Sequence, residues 1–202
     1  MALTSLEACS VIAKHRDGNI VVTTMGAMNA MDALPPHPLT VACVPLMGGA
    51  ACLGLGLALA QPTRKVFVLD GDASLLMELG GLVSVAQAMP GNYFHFIFNN
   101  SIQFAGLGNL PTPAQHKTNF VALAMAAGYA HAYSFSNKEM LAASLDEIFQ
   151  KNAPAVIELK IAYEKPILGK QRPSIEMTDA RFTRMGDELR CIRSTLGIPA
   201  ET

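Results

Sequence analysis

Two apolar runs in this chain end in short polar clusters that the fold must bring to one edge. Val66-Phe67-Val68-Leu69 is apolar and β-branched, the pattern of a strand buried on both faces, and Asp70-Gly71-Asp72-Ala73-Ser74 follows at once. A second run, Tyr93 to Phe98, ends in Asn99-Asn100, with 25 residues (Ser74 through Phe98) between Ala73 and the Asn pair. Ser74 opens a stretch in which Leu75, Leu76, Leu79, Leu82, Val83, Ala86 and Met89 recur at helical spacing. Strand, helix and strand in this order predict a crossover between parallel strands, and such sheets bind ligands at the carboxyl ends of their strands. The carboxyl of Asp72 and the carboxamide of Asn100 both arrive there, beside a helix N-terminus. Oxygen donors next to free backbone N–H groups suit a magnesium-bound diphosphate. Taken in isolation, the same residues also read as simple caps, an Asp ending a strand and an Asn pair starting a loop.

The rest of the chain alternates helices and strands without repeats or low-complexity segments. Thr4-x-x-Glu7 and Ser136-x-x-Glu139 read as capping boxes, the second opening a helix to about Lys151. Ile20 to Thr24, Thr40 to Val44 and Ala155 to Ile161 read as strands. Ala50 to Gln61 and Asn119 to Gly128 read as helices, with Gly128 as a terminator. Phe182, Met185, Leu189, Ile192 and Leu196 form an amphipathic stripe closed by Gly197 and Pro199. The pattern predicts one domain over residues 1–202: α/β, a doubly wound, mostly parallel sheet with helices on both faces.

Composition removes several function classes. A net charge of −1 with no basic stripe argues against nucleic acid as partner. Half the residues are hydrophobic and only 15% are charged, which suggests a surface partly covered in an oligomer. No charged residue lies between His37 and Arg64, yet Pro45 and Gly48-Gly49 interrupt that span. The remaining dozen or so residues make a buried helix rather than the about 20 a membrane crossing needs. Met1 to His15 lacks the basic start and apolar core of a secretory leader. Cys9, Cys43, Cys52 and Cys191 are scattered, as expected of reduced, packing thiols in a cytoplasmic protein.

Gly71-Asp72-Ala73, 25 intervening residues and Asn99-Asn100 resemble the Gly-Asp-Gly…Asn-Asn signature of thiamine diphosphate enzymes, with Ala73 in place of the last Gly. The resemblance implies thiamine diphosphate and Mg2+ as cofactors. It makes the Asp72 and Asn100 side chains and the Ile102 carbonyl the protein ligands of the metal, with diphosphate oxygens and a water completing an octahedron. Asn99 is structural by the same matching, and Gly71, Ala73 and Ser74 stand beside the diphosphate. Met47 to Ala60 occupies the place of a cofactor-supporting segment in the decarboxylase branch. There Met47 would wedge between the two cofactor rings, Pro45 would offer its carbonyl to the aminopyrimidine, and Gly48 and Gly49 would allow close approach. Thr23, Thr24 and Gly26, at the exit of the first strand, fall near the diphosphate. Gly106 and Gly108 belong either to a flap or to an ordinary loop. His116 and Lys117 either meet an anionic substrate or are solvated, and Glu78 reads as a supporting or surface residue rather than a catalyst.

Only the diphosphate-binding domain of such enzymes is represented. The opening Asn19-Ile20-Val21-Val22-Thr23-Thr24-Met25-Gly26 resembles the β subunit of sulfopyruvate decarboxylase and the carboxyl-terminal part of phosphonopyruvate decarboxylase. That implies a carboxy-lyase subunit acting on a small anionic 2-oxo acid, with the electron sink supplied by the cofactor. It also implies a hetero-oligomer, because the activating Glu would come from a separate α-type pyrimidine-binding subunit. No catalytic residue is then expected in this chain: Glu7 and Glu139 read as helix caps, and Glu158 and Glu164 lie on or just after the last strand. Two other readings stand beside this one. A 2-oxoacid oxidoreductase β subunit would carry closely spaced cluster cysteines. A noncatalytic binding or sensor module is favoured by Ala73, whose methyl would crowd the diphosphate if that position required positive φ.

Overall fold

The computed structural model describes residues 2–43, 46–105, 109–163 and 178–199, with side chains in the last stretch described from Thr183 onward. Strands β1 (Ile20–Thr23), β2 (Thr40–Ala42), β3 (Val66–Gly71), β4 (Tyr93–Asn99), β7 (His131–Phe135) and β8 (Ala155–Lys160) form one sheet in the order β2-β1-β3-β4-β8-β7. Every pairing in it is parallel. The chain steps outward from β1 to β2, then returns to the other side of β1 for β3. The order of winding therefore reverses between β1 and β3, the point at which doubly wound sheets open a crevice for ligand.

Alternation along the strands sorts the core into two layers. Ile20, Val22, Val66, Val68, Tyr93, Ile97 and Val156 are buried together with residues of α3 (Ala50–Ala60), α5 (Gly80–Ala88), α6 (Phe120–Ala127) and α8 (Thr178–Thr195). Val21, Phe67, Leu69, Phe94, Phe96, Ile157 and Leu159 face α1 (Ser5–Lys14), α2 (Met25–Asp32) and α7 (Lys138–Ile148). Helix α3 approaches the sheet closely at Gly54, where a Cβ would meet Val68 Cγ2 at 2.2 Å. Among the described residues no helix is long and apolar enough to cross a membrane.

Several predicted elements form as expected. Thr4 and Glu7 close a reciprocal capping box on α1, Asn119 caps α6, and Gly128 ends it at φ 108°. Others need correction. The helix expected from Ser74 to Met89 is two, α4 (Asp72–Met77) and α5, because Glu78 leaves helical geometry at φ −142° and ψ 63°. Ser136 does not cap α7; Asn137, one residue later, does so by accepting from the Met140 N–H at 2.9 Å. Asn is at least as good an N-cap as Ser, so the later start wins. β1 ends at Thr23 and β2 at Ala42, each short of its predicted end. The stripe on α8 forms, with Gly197 at φ 70° closing it, but the Phe182 side chain lies outside the described residues.

Three features were not anticipated. Helix α2 follows β1 directly, strand β7 forms the far edge, and Leu3 makes a parallel bridge to Ile161. Helix α8 also covers the other edge: Glu188 accepts the Ala42 N–H of β2 at 2.6 Å, and Arg184 joins Glu188 to Asp32, each at 2.6 Å. An edge strand whose donor is already occupied cannot pair with a stray strand.

Candidate cofactor site

Four strand exits converge at the carboxyl edge around the reversal point: Thr23-Thr24 from β1, Ala42-Cys43 from β2, Gly71-Asp72 from β3 and Asn99-Asn100 from β4. Gly71 is extended at φ −101°, and Asp72 begins α4 directly after it. The Asp72 side chain is 2% exposed. The backbone N–H groups of Ala73, Asn100 and Ser101 lie near its carboxyl and favour its charged form, so the β3 exit faces the β4 exit. Burial still outweighs those donors and raises its pKa to about 6. The Thr112 hydroxyl reaches Asp72 Oδ2 at 3.4 Å.

Beyond β4 the backbone turns tightly. Asn100 Oδ1 accepts the Ile102 N–H at 3.0 Å, an Asx turn that aligns the two residues expected to share the metal. Asn99 points elsewhere: its Nδ2 donates to Glu158 at 2.8 Å, and its Oδ1 accepts from Ser101. Glu158 also accepts from Ser134 at 2.7 Å, so this buried carboxyl is fully engaged. The loop after Ile102 is a small antiparallel hairpin, β5 (Ile102–Gln103) with β6 (Leu110–Pro111), and it delivers Thr112 to Asp72. Ser101, Phe104 and Asn109 all hold positive φ in this short segment. Such conformations store of order 1–3 kcal/mol each and cluster at functional sites.

The upstream segment is tied to the motif. Gly48 donates its N–H to Ser74 Oγ at 2.9 Å. At φ 89°, a Cβ on Gly48 would stand 2.6 Å from Glu78 Cβ, so only glycine fits. Met47 is half-buried and Leu46 exposed. Thr24 is buried and donates to the Cys43 carbonyl at 3.0 Å, joining β1 to β2. The Thr23 hydroxyl is buried with no partner among the described residues, and Gly26 opens onto free space. Ala73 sits inside α4 and is absent from the positive-φ residues, so its methyl carries no backbone strain. Burial pushes the Cys43 thiol up to about 11, which leaves it a packing group.

The structure thus brings Gly48, Gly71, Asp72, Ala73, Ser74, Asn100 and Ile102 together, with Thr24 and Gly26 at the neighbouring strand exit. Pro45, and Gly106 with Gly108, lie outside the described residues. His116 and Lys117 are exposed in the turn that follows Thr112, and Glu78 is exposed at the end of α4. Among the described residues no group of three or more His, Cys, Asp or Glu could hold a metal. One carboxyl, one carboxamide and one main-chain carbonyl form the hard, oxygen-only set that magnesium takes when phosphate supplies further oxygens. The residues present fit the metal and its diphosphate.

Sequence reasoning missed Thr112 and the buried pair Asp70 and His95. Pro111-Thr112-Pro113 carries no periodic signal, whereas His95 was visible as the lone polar residue in an apolar strand.

The family model described as "Thiamine pyrophosphate enzyme, C-terminal TPP binding domain" matches residues 19–159. Phosphonopyruvate decarboxylase of Streptomyces viridochromogenes is 32% identical over 146 residues, covering 72% of this chain and 36% of that protein. The sulfopyruvate decarboxylase subunit beta of Methanothermobacter thermautotrophicus is 38% identical over 101 residues, covering 50% of this chain and 54% of the relative. The chain thus matches about a third to a half of the length of these relatives. A solved thiamine diphosphate-dependent 4-hydroxybenzoylformate decarboxylase of Rhodococcus jostii superposes with TM-score 0.66 at 18% identity, over 81% of this chain and 33% of that one. That likeness speaks for the fold, and with the matched family model it gives the identity: the chain belongs to the thiamine pyrophosphate enzymes, as a C-terminal TPP-binding domain.

Proposed function

We propose that this chain is the magnesium- and thiamine diphosphate-binding subunit of a 2-oxoacid decarboxylase, completed by a separate pyrimidine-binding subunit. The observation that carries the reading is the buried Asp72 carboxyl, clasped to the Asn100-Ile102 turn at the reversal point of the sheet. The names of the relatives support the substrate class. Sulfopyruvate and phosphonopyruvate are both three-carbon 2-oxo acids with a second anionic group.

Asp72, Asn100 and the Ile102 carbonyl would hold the metal, and through it the diphosphate. Thr24, Gly26, Gly48 and Ser74 would line the adjoining wall, with Met47 packing against the cofactor rings and Pro45 offering its carbonyl. When bound, the cofactor supplies the electron sink for the pair left behind as carbon dioxide departs. This chain's part is to hold the metal by oxygen, fix the diphosphate and keep that edge dry.

Among the described glutamates, Glu7 caps α1, Glu158 holds Asn99 and Ser134, Glu188 holds β2 and Glu147 pairs with Lys151, while Glu78 and Glu139 are exposed. An activating carboxyl over the pyrimidine is therefore assigned to the partner. The test is carbon dioxide release from sulfopyruvate and phosphonopyruvate by the purified chain, with and without the protein that co-purifies with it. Turnover is expected only in the complex. Substantial turnover by the chain alone refutes the two-subunit reading, and a complex inert on both acids refutes the substrate class.

A further inference from the structure

Directly beneath the site lies a pair of buried polar groups that nothing above employs. Asp70 and His95 are each 0% exposed, and Asp70 Oδ2 stands 3.3 Å from His95 Nε2. Asp70 Oδ1 accepts the Gly71 N–H at 2.8 Å. Strand register explains the meeting. Val68 lies opposite His95 and Asp70 opposite Ile97, so both side chains leave the same face of the sheet, one step apart. An ionised Asp70 carboxyl accepts from an Nε2–H, which leaves the ring bonded to Asp70 on its Nε2 side alone. Nδ1 is indeed buried without a partner among the described residues. The ring is held by packing, edge-on to Tyr93 at 6.0 Å, and Tyr93 in turn donates to the Ala51 carbonyl at 3.1 Å.

An Asp and a His with no access to water are costly to bury, and a hydrophobic pair is often as stable. Their placement supplies a reason. Asp70 is the last residue before the Gly71-Asp72 turn, and its field also reaches Cys43, whose carbonyl holds Thr24. We propose that His95 is a positioning residue for cofactor binding: by holding Asp70 it fixes the Gly71 amide, and so the direction in which Asp72 leaves β3. This rests on the reading of the site given above.

The experiment is calorimetric titration of the protein, with its co-purifying partner, by thiamine diphosphate in excess magnesium. The variants are His95→Leu, His95→Gln and Val156→Ala, with Asp72→Ala as reference. Val156 is buried in the same core layer and is the register partner of His95 on β8, so its truncation loosens the packing around the ring without removing the contact to Asp70. His95→Leu should weaken binding at least tenfold well below its Tm. His95→Gln keeps an N–H for Asp70 and should stay within threefold of the unaltered protein. Val156→Ala should lower Tm without changing affinity. Should His95→Leu fail to fold, His95→Asn, polar but too short to reach Asp70, reads the same loss. The Gly71 amide resonance should move in His95→Leu or His95→Asn and hold in His95→Gln. Wild-type affinity in His95→Leu, or an equal loss in Val156→Ala, overturns the proposal while leaving the site intact. Full binding by Asp72→Ala instead overturns the site itself.

Discussion

Asp72 shows how one residue can set stability against function. Its pKa of about 6 lies above the ordinary aspartate value of about 3.8, so the fold favours the protonated form. The stabilisation is complete below about pH 4 and is lost as pH rises through about 6, a difference of about 3 kcal/mol. Magnesium needs the opposite state. Its affinity should fall about tenfold per pH unit below about pH 6, as protons compete for the same oxygens, which calorimetry between pH 5 and 8 would show. Asp72→Asn should abolish metal-dependent binding and flatten the decline in Tm between about pH 4 and 6.5. A variant with the wild-type pH slope would show that another group carries it. The motif was legible from residue types alone, because Asp72 and Asn100 are defined by the strands that deliver them. Thr112 was not, since its approach to Asp72 depends on a hairpin of two-residue strands.

At the scale of elements, legibility followed the strength of the local signal. The apolar runs of β3, β4 and β8 and the caps of α1 and α6 could be read directly. Helix α2 could not: it opens at Met25 with φ 49° and has no side-chain cap bond. Strand β7 is half-buried, and its marker is the alternation of His131, Tyr133 and Phe135, which stack in sequence at 6.4 and 6.5 Å. The break at Glu78 was hidden because Leu75 to Met89 keeps a helical period across it, and tertiary contact decided the matter. Only glycine at 48 leaves room for Glu78, and a Cβ at Gly81 would stand 3.0 Å from Ala51 Cβ. The covered edge of β2 makes its own prediction. Glu188→Ala removes the acceptor of the Ala42 N–H and should cost about 1–3 kcal/mol, whereas Glu188→Gln should recover most of it. Thermal melts of the two variants decide this; equal Tm values would mean that the contact contributes nothing.

For the whole molecule, the placement of Leu3 and Ile198 relative to the site matters most. Leu3 is 1% exposed and bridges to Ile161, immediately past the register pair of Asn99 and Lys160. Leu3 is therefore pinned at the carboxyl edge, one strand exit from the candidate metal ligands. Leu196 and Ile198, by contrast, line an apolar cavity of about 430 Å³ with Leu57 and Gln61, where α3 reaches the opposite edge. Anything grafted onto this protein thus faces an asymmetric choice. A fluorescent or affinity label joined ahead of Leu3 emerges where the cofactor and the second subunit are expected to arrive, and should depress reconstituted turnover. The same label carried after Ile198 should be tolerated, and comparing the two fusions in the decarboxylation assay would map the docking side of the molecule without a structure of the complex.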